Sequence, residues 1–163
     1  FVLAKNLSEL IYSRIGAAFN TIIYTTISNS REDEYSAYEL ANQIFKTIFK
    51  SFLFIYFITF FVWEAAINFF YGDSYLNAVN IILILSVGFL IFSSTQILIN
   101  YFYGIGQEYI VKYFYFSGFL IQLIPYITLK EYMSLEILVG ISSFSLILLS
   151  SIVYYFFTQK RLF

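Results

Sequence analysis

Long uncharged runs alternate with short polar breaks along this chain. Ser74 to Gln107 carries no charge, and neither do Tyr113 to Leu129 and Ile137 to Gln159. A fourth run, Ser51 to Trp63, continues through Ala65 to Tyr71 with Glu64 alone interrupting it. A helix needs about 17–25 apolar residues to cross a bilayer, so each run predicts a membrane-spanning helix. The first stretch, Lys5 to Ile27, is more mixed and carries Lys5, Glu9 and Arg14. At about 100° per residue, Lys5, Glu9, Ser13, Gly16 and Asn20 fall on one helical stripe, with Leu3, Leu10, Phe19 and Tyr24 elsewhere. A helix with one polar face either spans the membrane as the wall of a wet cavity or lies flat at its surface. Its length and the topology of the later spans favour spanning.

The most polar stretch, Ser28–Gln43, contains Arg31-Glu32-Asp33-Glu34. Ser36 to Glu39 has the S-x-x-E form of a capping box, in which the two side chains satisfy each other's free backbone N–H groups. Apolar residues then recur at Ala37, Leu40, Ala41, Ile44, Phe45 and Ile48, with helical spacing. A helix is therefore expected to begin near Ser36, run along the surface and enter the Ser51 span. The acidic cluster reads as a solvated loop rather than a metal site. The fold class is all-α: a polytopic bundle of about five spanning helices at 5–27, 44–70, 76–102, 110–129 and 135–157, with a polar loop and surface helix at 28–43.

Composition supports a membrane solvent. Of 163 residues, 60% are hydrophobic and 12% charged, against roughly 25% charged in an average soluble domain. A water-soluble domain of this size could not hide 21 Phe and 16 Tyr, because a large share of its residues must face water. A net charge of −1 offers no basic field for nucleic acid, which is excluded as a partner. With no Cys and no His, disulfides, thiol chemistry, Cys/His metal sites and His-based triads are excluded too. Neither a cofactor nor a metal is expected. The chain opens on Phe1 without a basic leader segment, so it reads as a portion of a longer protein rather than as starting with a signal peptide.

Orientation follows from the short-loop cations. With Ser28–Lys50 placed in the cytoplasm, Arg31, Lys46, Lys50, Lys112, Lys160 and Arg161 are inside and Lys130 is outside. The C-terminus is then cytoplasmic. Trp63, Tyr71, Tyr75, Tyr103, Tyr109, Tyr113, Tyr132, Tyr154 and Tyr155 fall near helix ends, as interfacial aromatics should.

No catalytic constellation is visible; Gly104-Ile-Gly106 reads as a turn between spans, not a phosphate loop. Ser86, Ser93, Gln96 and Asn100 form a polar stripe on the third span. The serines suit helix packing, whereas Gln96 and Asn100 either bond across helices or line a hydrophilic cavity. Gly140, Ser143 and Ser150 in the last span read as a close-packing face. Pro125 is expected to kink the fourth span, as a structural feature or as a hinge. Arg14 falls near mid-depth, on the face opposite Lys5, Glu9 and Asn20. A charge at bilayer centre costs about 2.5–3.5 kcal/mol on insertion scales. Arg14 therefore pairs with a helix outside this chain or faces a wet cavity, where its planar fork suits a phosphate.

Phe69-Phe-Tyr-Gly-Asp-Ser-Tyr-Leu-Asn-Ala-Val, followed by Ile81-Ile-Leu-Ile-Leu, resembles the polysaccharide-transport branch of the multidrug/oligosaccharidyl-lipid/polysaccharide exporter superfamily, the O-antigen-type flippases. Tyr103-Gly-Ile-Gly-Gln107 and Ala4-Lys-Asn-Leu-Ser-Glu-Leu10 are similar to that branch as well, while Thr25-Thr26 stand where such proteins often have Pro. The resemblance implies two helical bundles around a central cavity, with this chain giving most of the second and the N-terminal bundle lying outside it. It implies a multi-pass protein of the cytoplasmic membrane that is not an enzyme. Its substrate would be a polyprenyl-diphosphate-linked sugar unit, moved between leaflets by alternating access. Cationic cavity groups are then expected at Arg14 and Lys5, with Glu9, Asn20, Gln96 and Asn100 as further cavity candidates. The rival readings are an ion-coupled drug/cation antiporter using Glu9 or Glu64, a membrane-embedded sugar polymerase or transferase, and a non-transporting scaffold.

Overall fold

The computed structural model describes residues 2–29, 33–128 and 134–160, and all its regular elements are helical. Arg31, Glu32, Lys130, Tyr132 and Arg161 lie outside the described residues. The elements are α1 (Val2–Glu9), a π-helical turn (Leu10–Arg14), α2 (Ile15–Asn29), α3 (Glu34–Tyr71), a 3-10 turn (Asp73–Tyr75), α4 (Asn77–Gly104), α5 (Glu108–Thr128) and α6 (Leu135–Gln159).

Four of these, α3 to α6, are long and apolar enough to cross a membrane. They match the four apolar runs of the sequence. The first segment differs from the single helix expected at 5–27. A π turn divides it into pieces of 8, 5 and 15 residues, none of them long enough by itself to join the apolar spans. The protein is thus a helical membrane bundle with four apolar spans and one mixed segment. The outward faces fit lipid rather than water: Phe61 and Phe69 on α3 are 77% and 83% exposed, and Phe116, Phe144 and Tyr155 are exposed too.

The start of α3 corrects the capping-box reading. The helix begins at Glu34, and its cap is Asp33, whose carboxylate accepts from the Ser36 N–H at 3.1 Å. Aspartate caps as well as serine, and its charge favours the positive helix N-terminus, so the earlier residue wins. The amphipathic pattern beyond it holds: Ala37, Tyr38 and Ala41 are buried, with Leu40, Ile44, Phe45 and Ile48 packed around them. No break separates a surface helix from a span. Gly72, at φ 82°, ends α3 in a backbone conformation that favours glycine.

α4 is the axis of the bundle, and every other helix touches it. The first segment runs parallel to it. Ser8 donates to the Ile82 carbonyl at 3.1 Å near one end, Gly16 faces Ser93 midway, and Ile27 packs on Gly104 at the other end. α6 is parallel as well, from Ser143 beside Gly88 to Phe157 against Tyr101. α3 is antiparallel: Ile67 shares a cluster with Ile82, Phe52 one with Leu90, and Tyr38 meets Tyr101. At the Gly104 end, Tyr38 stacks on Phe157 with centroids 4.4 Å apart, and Lys160 pairs with Glu34 at 3.4 Å above them.

Close packing does occur on α6, but not at Gly140, which has open space where a Cβ would stand. The tight contact is Gly88 of α4 against Ser143, whose hydroxyl donates to the Ile84 carbonyl at 2.8 Å. A Cβ at Gly88 would lie 2.9 Å from the Ser143 Cα. Gly88→Ala is expected to lower bundle stability by about 1–3 kcal/mol through overpacking. Gly140→Ala should be neutral within about 0.5 kcal/mol. Unfolding midpoints of both variants in the same detergent check this; equal midpoints would refute the close contact.

Candidate functional site

The first segment is more polar than any span, and the buried face of its described residues packs on α4 and α3. Ala4, Ser8, Tyr12, Ile23 and Ile27 are buried. Tyr12 sits inside the π turn with its ring edge-on to Phe52 of α3, centroids 5.4 Å apart. A π turn bonds i to i+5, so residues after it are displaced around the axis relative to an unbroken α-helix. The stripe drawn at uniform α-helical spacing therefore cannot hold rigidly across Leu10–Arg14. The side chain of Ser13, one of its members, lies outside the described set.

What survives is a groove. Its floor is α4, one wall is the first segment, and the other wall is α5 with α6. One lobe, of about 310 Å3, is lined by Lys5, Glu9, Leu85, Phe89, Gln122, Ser142 and Leu146. The next, of about 330 Å3, is lined by Glu9, Gly16, Ala17, Asn20, Phe89, Phe92, Ser93, Gln96 and Tyr115. Glu9 and Phe89 belong to both lobes, so the two adjoin beside the π turn.

Five sequence-predicted residues are brought together here. Lys5, Glu9, Asn20 and Gln96 line the groove. Asn100 sits at one end of it, its side-chain amide donating to the Asn20 side-chain oxygen at 3.0 Å. Gln96 accepts from the Tyr115 hydroxyl of α5 at 3.4 Å. Gln96 therefore does both, lining the groove and bonding across to α5, whereas Asn100 bonds across helices and lines neither lobe. Ser93 joins the groove, whereas Ser86 is buried and its hydroxyl has no partner among the described residues. Lys5 and Glu9 are the one cation and the one carboxylate among the described lining residues.

Arg14 lies apart. It closes the π turn, is exposed, and lines neither lobe. Sequence reasoning missed Tyr115, Gln122 and Ser142, which form the far wall. Tyr115 and Gln122 are seven residues apart on α5, two turns of one face; that spacing was the available signal. Pro125 leaves α5 continuous to Thr128, whose hydroxyl donates to the Ile124 carbonyl at 3.0 Å. Among the described residues, no group of three His, Cys, Asp or Glu could hold a metal ion.

The arrangement offers amides, hydroxyls and one charge of each sign along a single open groove. It can hold a polar, hydroxyl-rich or anionic group. The Asn20–Asn100 bond is expected to couple the two helices by about 0.6 kcal/mol. A double-mutant cycle of Asn20→Ala and Asn100→Ala on unfolding free energy measures it, and strict additivity would show that the two amides do not act together.

Residues 1–80 match the model of a family described as polysaccharide biosynthesis protein. That segment holds the first wall of the groove and all of α3. No curated protein and no solved structure matches the chain.

Proposed function

We propose, from the premise that the polysaccharide biosynthesis match over residues 1–80 fits a flippase-type protein, that this protein flips polyprenyl-diphosphate-linked oligosaccharide units across the cytoplasmic membrane. The observation that carries the reading is the groove: a polar lane running beside the buried axis of an otherwise apolar bundle. Hydroxyl-rich sugars pair with amides and hydroxyls, here Asn20, Gln96, Tyr115 and Ser142. A diphosphate needs a cation, and Lys5 is placed to supply it through a charge-assisted contact.

The lane lies along α4 from the level of Leu85 to that of Gln96, and the first segment follows α4 from Ile82 to Gly104, so it acts as a fifth crossing whose polar face is kept out of lipid. The short-loop cations support an orientation with the Gly104 end and the C-terminus in the cytoplasm. A second bundle facing the groove would complete a central cavity, and Arg14, exposed at mid-depth, is the candidate to meet it. Rocking of one bundle against the other would alternate access. An ion-coupled antiporter remains the second reading because Glu9 is a groove carboxylate; Glu64 lies exposed on α3, away from the lane.

Deleting the gene in its host is expected to strand complete lipid-linked units on the inner leaflet, read with a probe confined to the outer face. Wild type should restore exposure. Lys5→Ala should cut it about 10- to 100-fold, since a hydrogen bond to a charged group contributes about 1.5–3 kcal/mol, while Lys5→Arg keeps most of it. Normal outer-leaflet exposure in the deletion strain would end the flippase reading. Loss of cation export, with Glu9→Gln reproducing it, would establish the antiporter instead.

A further inference from the structure

A second cavity adjoins the polar groove. It lies between α5 and α6, has a volume of about 270 Å3, and is walled by Phe119, Leu123, Tyr126, Leu138 and Ile141. Gln122 and Ser142 line both this slot and the lobe that holds Lys5 and Glu9. Two spaces of opposite chemistry therefore meet at one pair of polar residues.

The slot has a structural cause. α5 is tied to α4 in its first half, where the Phe114 ring meets Phe102 at 5.6 Å. Past Gly118, which packs beneath Leu149, it leans on α6. Its second half leaves Phe119, Ile124 and Tyr126 exposed. The helices part enough beyond Gly118 to leave an apolar recess that borders the groove at Gln122 and Ser142.

We infer that this slot holds one segment of an isoprenoid tail whose polar head lies in the groove. The inference rests on the flippase reading above and adds to it where the tail leaves the protein. An occupant with a polar head alone would leave the slot unfilled, and a free hydrocarbon chain would have no use for the Lys5–Glu9 lobe beside it. A single chain suits the volume, which falls below the roughly 300–1,000 Å3 of a drug-sized site. Lipid tails are as apolar as leucine, so the slot gains little affinity from the tail. Its effect is positional: a chain threaded between Gln122 and Ser142 fixes the direction in which the head enters the lane.

The test uses the full-length protein in lipid nanodiscs. The probe is a long-chain prenyl diphosphoryl N-acetylglucosamine carrying a diazirine in its isoprenoid chain. Photolabel is expected on peptides covering residues 119–126 and 138–142, and to be competed by the unlabelled compound. Ile141→Trp, which fills the slot from α6, should lower that label at least fivefold, and Leu123→Trp, entering from α5, should do the same. Phe61→Trp on the exposed face of α3 should not. A short-chain analogue with the same head should bind Ile141→Trp with unchanged Kd, which also shows that the variant is folded. Label spread over the exposed face of α3, or unchanged in both slot variants, would overturn the slot while leaving the leaflet assay to judge flipping separately. Slot label from a diazirine phosphatidylglycerol, with none from the prenyl probe, would overturn both.

Discussion

Helices in a bilayer gain little by exchanging lipid for one another's apolar side chains, so their association depends on how closely backbones approach and on which polar groups bond across. α4 meets that constraint. Gly88 lets Ser143 reach the Ile84 carbonyl, Gly104 admits Ile27, and Ser8 reaches Ile82. Each contact joins a small residue to a backbone or a branched side chain. With α6 and the first segment locked to it in parallel and α3 antiparallel, α4 is removed from lipid over much of its length. The exposed phenylalanines of α3 and α5 can then face outward without cost, because hydrocarbon is their solvent.

The groove is the complement of that packing. A segment carrying Lys5, Glu9 and Asn20 could not be surrounded by lipid, and it could not be packed on all sides without leaving charges unpaired. It is packed on one side and left open on the other. The π turn stands where the two demands collide, with Tyr12 driven inward against Phe52 while Arg14 is turned out. Such turns are frequent at functional sites because they re-aim neighbouring side chains. Here the turn lies between Glu9 and Asn20, at the join of the two lobes.

Much of this was legible in the sequence. The four spans, the amphipathic start of α3, the glycine turn after α4 and the polar stripes that hold Lys5, Glu9, Asn20, Gln96 and Asn100 follow from periodicity and charge alone. What escaped has physical reasons. Uniform α-helical spacing cannot reveal a π turn, since the extra residue per turn is set by tertiary packing around Tyr12. Gly140 and Gly88 look alike in an apolar run; only the partner helix decides which of them is approached. Asp33 outcompeted Ser36 as a cap because both types serve, and their order along the chain settled it. The far wall of the groove stayed hidden since Tyr115 and Gln122 gain meaning only once α5 is seen to lean away from α4.

The ion pair between Glu34 and Lys160 joins residues 126 positions apart. During synthesis Glu34 leaves the ribosome long before its partner exists, by roughly 6–25 s at about 5–20 residues per second. In that interval α3 and α4, linked by a short turn, can already pair, while the face of α4 around Gly88 still touches lipid. Insertion of α6 covers that face and brings Lys160 to Glu34 in the same event. The groove's second wall, begun by α5, is completed at that moment, so a chain released early would enter the membrane with its polar lane unfinished.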